Sequence, residues 1–117
     1  MLFRSGIAYK QLSIGDHSQS TFDEATLEDA NAFIEKYTSR GGRVFVHCVM
    51  GRSRSVCVCC FHFMKTHSYS FEYIYNIIKA RRPQIHMNQN FVHDLHRIFS
   101  CDKTINDFLA SAIRTAE

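Results

Sequence analysis

The nine residues His47-Cys48-Val49-Met50-Gly51-Arg52-Ser53-Arg54-Ser55 decide the fold of this chain. The β-branched and aromatic run before them, residues 43–46, predicts a buried strand. The apolar run after them, residues 56–64, is long enough for a buried helix. The nine residues therefore form a strand-to-helix turn, which directs several backbone N–H groups and the positive end of the helix dipole at one spot. Such a turn is expected to bind an anion.

A cysteine opens this turn and an arginine lies near its end. The positive surroundings are expected to lower the pKa of the Cys48 thiol and make its thiolate a nucleophile, whereas the alternative is an inert buried cysteine. Arg54 can donate two N–H groups to one phosphate or sulfate, and an arginine at the positive end of a helix is otherwise unfavourable. The remaining phosphate oxygens are expected to bind backbone N–H groups of the turn, on Val49, Met50, Gly51, Arg52, Ser53 and Arg54.

The order His-Cys, five residues, Arg-Ser resembles the signature of the protein tyrosine phosphatase superfamily, and the version here is most similar to the dual-specificity phosphatases. A second segment adds to the resemblance, which covers about residues 7–100. Ala80-Arg81-Arg82-Pro83, followed by Asn88 and Phe91, is similar to the closing segment of the family, with Met87 where proline is common. The resemblance implies a cysteine-dependent phosphatase that forms a thiophosphate intermediate and needs no metal or cofactor.

The resemblance also implies roles for polar residues around the turn. The hydroxyl of Ser55 would bind the Cys48 thiolate and assist its departure, while His47 and Asn88 would order the loop. The leaving oxygen needs a proton, which the family takes from an aspartic acid some thirty residues before the cysteine. Asp16, 32 positions before the cysteine and in a predicted polar loop, is the first candidate. Asp23 is the alternative, although the dipole of a helix that begins there also explains it.

The pattern outside the turn predicts an α/β fold, a small parallel-type sheet flanked by about five helices. Residues 7–14 predict a second strand, and Thr21 with Glu24 forms a capping-box pattern for a helix that Gly41-Gly42 would end. Further helices are predicted at about 53–65, at 71–82 after an N-cap at Ser70, from Asn88 to about 100, and around 105–113. The strands that precede residue 7 in family domains are missing from this prediction. The open edges of so small a sheet suggest a homodimer as a hypothesis.

Composition predicts one domain, residues 1–117, without a membrane span. The net charge of +3 suits an anionic substrate, and no basic run favours nucleic acid. The first residues are too short and too polar a stretch for a signal peptide. Three of the five cysteines, Cys57, Cys59 and Cys60, share one apolar helix. We expect them to pack in the core as reduced thiols, which favours a cytoplasmic or nuclear protein. His93 and His96 lack a third ligand, so no metal site is predicted.

The expected substrates are proteins that carry phosphotyrosine and phosphoserine or phosphothreonine. Two alternatives stay open. Arg52 adds a second cation to the loop, which resembles phosphatases that act on phosphoinositides or phosphatidylglycerophosphate. The second alternative is a phosphate-binding or interaction module with little catalysis, motivated by the missing front of the family domain.

Overall fold

The structure is a computed structural model that describes residues 7–17 and 19–100, and four helices form in this part of the chain. They are α1 (Glu24–Thr38), α2 (Arg54–His67), α3 (Phe71–Arg81) and α4 (Gln89–Ser100). Helix α2 contacts each of the other three and therefore occupies the centre. The predicted helix around residues 105–113 lies outside the described residues. None of the four helices has the length and the apolar character that crossing a bilayer requires.

The predicted sheet is wrong for the described residues. Residues 7–14 and 43–47 are not helical, but apart from a single β-bridge at Ala8 no described residue pairs in a strand. The apolar side chains of both segments pack against the helical core: Leu12, Ile14, Val44 and Val46. Phe45, between two of them, is 85% exposed. A pair of strands alone is marginally stable, so these segments gain stability by covering helices with one face. The homodimer hypothesis loses its basis here, because it depended on the open edges of a sheet.

The N-terminus of α1 differs in detail from the prediction. Asp23, rather than Thr21, is the N-cap, and its Oδ1 accepts the backbone N–H of Thr26 at 2.9 Å. Hydrogen bonding to Thr26 lowers the pKa of this exposed carboxyl. Aspartate is as good an N-cap as serine or threonine. The sequence therefore offered two possible N-caps, Thr21 and Asp23, and the structure uses Asp23. The predicted end at the glycine pair is confirmed: α1 stops at Thr38, and Gly41 has a φ of +77°.

The boundaries of the other three helices agree with the predicted ones to within about two residues. Helix α2 runs from Arg54 to His67, two residues beyond the prediction. Ser70 caps α3 by accepting the N–H of Tyr73 on its Oγ at 3.2 Å, and α3 ends before Pro83. The carbonyl of Asn88 accepts the N–H groups of Phe91 and Val92 in the first turn of α4, and its Oδ1 accepts the N–H of Asn90 at 2.9 Å. Caps and proline therefore set these boundaries, because they act on the backbone next to them.

The core surrounds α2 and contains two of the three helical cysteines. Its largest fully buried side chains are Phe22, Phe61, Phe91, Leu27, Ile85, Met87, Leu95, Cys57 and Cys60. Burial raises the pKa of Cys57 far above its usual range, that of Cys60 to about 12 and that of Cys59 to about 11. The prediction that these thiols pack in the core is confirmed for Cys57 and Cys60. Among the described cysteines, Cys48 is the one whose pKa is lowered toward the thiolate form.

A buried carboxylate joins α4 to the start of α1. Asp94 Oδ2 accepts the backbone N–H of Phe22 at 2.8 Å, and its Oδ1 lies 3.2 Å from Arg97 Nη2. We expect Asp94→Ala to lower the free energy of unfolding by about 1–3 kcal/mol, because the buried N–H loses its acceptor. Asp94→Asn keeps an amide oxygen at that place and should lose less. Urea unfolding of both variants measures the difference, and equal stability of Asp94→Ala and wild type would contradict the assignment.

Candidate active site

The turn that precedes α2, residues 48–54, forms a loop whose amides converge on one sulfur; we call it the anion loop. Gly51 has a φ of +63°, which the absence of a side chain permits. Ser53, the N-cap of α2, makes no side-chain cap bond. Backbone N–H groups of Gly51, Ser53 and Ser55 face the Cys48 sulfur and stabilise its thiolate form. The predicted convergence of N–H groups on one spot is therefore present in the structure.

Cys48 lies half-buried at the mouth of this loop. Its Sγ is 3.3 Å from the Oγ of Ser55. Burial by itself raises the pKa of Cys48, but the Ser55 hydroxyl and the three loop amides stabilise the thiolate more strongly and lower the pKa to about 7. A large fraction of the cysteine is then thiolate at neutral pH, which is the nucleophilic form of the side chain.

The Ser55 hydroxyl can be tested through the thiol itself. We expect Ser55→Ala to shift the midpoint of Cys48 alkylation by iodoacetamide from about pH 7 upward by about one pH unit, because a hydrogen bond to a charged group contributes roughly 1.5 kcal/mol. The thiolate is the reactive form and exists above the pKa, so alkylation at pH 7 slows. Mass spectrometry of the Cys48 peptide gives the rate at each pH. Ser70→Ala, the same substitution at a remote helix cap, should leave the midpoint unchanged; an unchanged midpoint in Ser55→Ala would contradict the assignment.

Arg54 begins α2 on the side of the anion loop. Its Nη1 donates to the carbonyl of Ile14 at 3.0 Å, which fixes the guanidinium plane against the segment before α1. Its Nε is buried and has no hydrogen-bond partner among the described residues. A buried guanidinium N–H without an acceptor is unfavourable, and a phosphate oxygen in the loop would supply the missing acceptor. The geometry thus fits the predicted phosphate clamp.

Asp16 is exposed, and hydrogen bonds of Asn88 hold it beside the anion loop. The Nδ2 of Asn88 donates to Asp16 Oδ1 at 3.2 Å and to the carbonyl of His17 at 2.8 Å. The backbone N–H of Asn88 donates to Ser53 Oγ at 2.8 Å. Asn88 thus connects the loop that carries Asp16 with the anion loop. The alternative acid, Asp23, uses its carboxylate as the cap of α1.

The remaining predicted residues lie at the exposed rim. Val49 is 87% and Met50 is 60% exposed. The His47 ring is exposed and stacks on Phe45 with centroids 5.2 Å apart; among the described residues it makes no hydrogen bond to the loop, so its ordering role stays a prediction. Arg52 is exposed at one side of a cleft of about 320 Å³. Other residues that line the cleft are Asp16, His17, Met50, Ser53, His86 and Asn88.

Two loop contacts have no counterpart in the sequence-based prediction. Arg82 Nε donates to the carbonyl of Gly51 at 3.2 Å, and the backbone N–H of His86 donates to the carbonyl of Arg52 at 2.9 Å. The arginine pair before Pro83 was informative only as part of a family motif. Nothing local in the sequence indicates that the second arginine reaches back 31 positions.

Comparison with known proteins identifies the class that this fold and site define. Residues 2–101 match the family described as "Dual specificity phosphatase, catalytic domain", and the chain belongs to this family. The predicted resemblance is therefore confirmed. No group of three or more potential metal ligands occurs among the described residues.

Individual relatives agree with the family. The chain is 32% identical over 89 residues to dual specificity protein phosphatase 1B of Arabidopsis thaliana, with 76% of this chain and 53% of that protein covered. It is 31% identical over 93 residues to human dual specificity protein phosphatase 1, with 80% of this chain and 25% of that protein covered. The chain thus spans between a quarter and about half of the length of these relatives.

A solved structure is similar to most of this chain. The crystal structure of human tyrosine phosphatase-like serine/threonine/tyrosine-interacting protein has a TM-score of 0.78 and 26% identity to this chain. The match covers 85% of this chain and 65% of the human chain. The arrangement of helices around α2 is therefore that of the phosphatase family, even though the described residues form no sheet.

Proposed function

We propose that this chain hydrolyses phosphate monoesters on proteins, with Cys48 as the covalent nucleophile. The observation that carries the proposal is the environment of the Cys48 sulfur, which lies 3.3 Å from Ser55 Oγ and whose thiolate form is stabilised by that hydroxyl and by three loop amides. This environment stabilises negative charge at the mouth of an anion-binding loop. Membership of the dual specificity phosphatase family supports the same chemistry.

In the first step the Cys48 thiolate attacks phosphorus, an S–P bond forms and the P–O bond to the substrate breaks. The carboxyl of Asp16 gives its proton to the leaving oxygen. Arg54 Nε and the loop amides bind the equatorial phosphoryl oxygens, on which charge accumulates in the transition state. The position of Asp16 beside the cleft, held by Asn88, supports its choice over the cap residue Asp23.

In the second step a water oxygen attacks phosphorus while the S–P bond breaks. The Asp16 carboxylate takes a proton from this water, and the sulfur keeps the electron pair of the broken bond. The Ser55 hydroxyl donates a hydrogen bond to the thiolate as it leaves, which lowers the energy of the departing group. Inorganic phosphate is released, and the thiolate and the carboxyl return to their starting protonation states.

The exposed loop residues around Cys48 support a site that accepts phosphorylated side chains of different length. Cys48 is half-buried and the neighbouring Val49 and Met50 are highly exposed, so the described residues form a shallow site around the nucleophile. A phosphate on a short serine or threonine side chain can reach such a sulfur, and so can one on the longer tyrosine. We therefore propose dual specificity for phosphotyrosine and phosphoserine or phosphothreonine. The charged rim residue Arg52 is the feature that would favour a phosphoinositide instead.

The substrate class is tested by comparing three substrates without added metal. Two peptides of the same sequence carry phosphotyrosine or phosphothreonine, and the third substrate is a short-chain phosphoinositide. Release of inorganic phosphate from both peptides is expected. Release from the phosphoinositide alone would contradict a protein substrate, and release from the phosphotyrosine peptide alone would contradict dual specificity.

A phosphate-binding module is the second candidate. The solved relative is itself called "phosphatase-like" and "interacting". Saturable binding of a phosphopeptide by folded wild-type protein, with no phosphate release, would establish this function. Any turnover that Cys48→Ser removes would exclude it.

A further inference from the structure

One segment fixes three consecutive residues of the anion loop from outside. We call residues 82–88 the brace segment. Arg82 Nε donates to the carbonyl of Gly51 at 3.2 Å, and His86 N–H donates to the carbonyl of Arg52 at 2.9 Å. Asn88 N–H donates to the Oγ of Ser53 at 2.8 Å. Each contact is a donor from the brace segment to an acceptor of the loop.

Holding a carbonyl outward directs the next N–H inward. The C=O and N–H of a trans peptide point in opposite directions, and the described chain has no cis peptide bond. The second contact shows the effect: the Arg52 carbonyl binds His86, and the N–H of the same peptide, on Ser53, donates to Cys48. By the same geometry, the Arg82 contact turns the N–H of Arg52 away from the brace segment and toward the interior of the loop.

We propose that Arg82 is a positioning residue of the phosphate site, which fixes the Gly51–Arg52 peptide so that its N–H binds a phosphoryl oxygen. The proposal deepens the proposed function and rests on it. Arg82 acts through the loop backbone and touches neither substrate nor reacting atoms.

The packing around Gly51 supports a specific contact rather than a general effect of charge. A Cβ placed on Gly51 would lie 2.8 Å from Arg82 Nη2, so the guanidinium lies directly on the glycine. The backbone of Arg82 is itself fixed, because its N–H donates to the carbonyl of Ile78 in the last turn of α3 and its carbonyl accepts the N–H of Ile85. The donor therefore comes from an ordered turn, although the side chain is exposed.

Three variants separate the hydrogen bond from the charge. Arg82→Met removes both the N–H donor and the charge but keeps a long side chain. Arg82→Gln removes the charge and the Nη groups but keeps the donor, because glutamine Nε2 is attached to Cδ as arginine Nε is and can donate to the Gly51 carbonyl. Arg81→Met removes the same charge at the preceding exposed residue and is the matched control.

Protection of Cys48 by inorganic phosphate measures binding in the loop without turnover. The rate of iodoacetamide alkylation is followed on the Cys48 peptide at increasing phosphate concentration and at several pH values. We expect Arg82→Met to need about tenfold more phosphate for half protection, which is the factor for one lost hydrogen bond, and to have an alkylation midpoint above that of wild type. Arg82→Gln and Arg81→Met should stay within about twofold of wild type.

Each other outcome overturns the proposal. Protection of Arg82→Met equal to that of wild type would show that the loop needs no brace at Gly51. Equal losses in Arg82→Met and Arg82→Gln, or a similar loss in Arg81→Met, would show that positive charge alone acts. A failure of the proposed function gives a different result. Phosphate would then protect Cys48 in the wild-type protein, but the protein would hydrolyse no phosphate ester.

Discussion

We expect Cys48→Ser to lower hydrolysis of para-nitrophenyl phosphate on the order of 10⁵-fold or more, as removal of a covalent nucleophile does in other hydrolases. The reason is the difference between the two groups at the same place. The loop lowers the pKa of the Cys48 thiol to about 7, so much of it is ionised at neutral pH. A serine hydroxyl ionises far above that range, and the described side chain that contacts this position, Ser55, offers only another hydroxyl and not a general base.

Cys59→Ser is the matched control for this experiment. It makes the same atomic exchange in α2, at a thiol whose pKa burial raises to about 11. Turnover of Cys59→Ser should equal that of wild type. Circular dichroism of both variants confirms that the helices persist. Measurable, phosphate-releasing turnover in Cys48→Ser would show that the nucleophile lies elsewhere.

Arg54→Lys should lower kcat on the order of 10²- to 10³-fold, the usual effect of removing one transition-state donor. Lysine keeps the positive charge but has no planar fork, so it cannot bind the Ile14 carbonyl and a phosphoryl oxygen in a fixed plane. The Nε that lacks a partner in the structure is the donor that lysine cannot replace. Arg54→Ala also removes the charge and should raise KM in addition.

The control for this series is Arg81→Lys, at an exposed arginine outside the anion loop. Steady-state kinetics on para-nitrophenyl phosphate separate kcat from KM for each variant. A kcat for Arg54→Lys within threefold of wild type would show that charge alone is required and that the fork has no role in the transition state.

The anion loop could be predicted from the sequence because the residues that define it are close together in the chain. Cys48 and Ser55 are only seven positions apart, and the glycine and the helix start between them are signals that a short stretch of sequence contains. The caps at Ser70 and before α4 were predictable for the same reason. At α1 the local signal was ambiguous, since Thr21 and Asp23 are both good caps.

The sheet and the outer contacts of the site could not be predicted in this way. Strand pairing depends on partners far away in the chain, and the alternation in residues 7–14 and 43–47 indicates one buried face without saying what covers it. The contact between Asp16 and Asn88 spans 72 positions, and that of Arg82 with Gly51 spans 31. Such contacts follow from the packing of α3 and α4 on α2, which no single stretch of sequence determines.

The most direct measurement is to trap the phosphoryl group on the enzyme. Wild-type protein is mixed with excess para-nitrophenyl phosphate, quenched in acid within the first turnovers, and digested for mass spectrometry under conditions that preserve the S–P bond. We expect a phosphoryl group on Cys48, in greater amount in Ser55→Ala because the thiolate departs more slowly. Phosphate release without any phosphoryl group on Cys48 in either protein, or with the group on another residue, would contradict it.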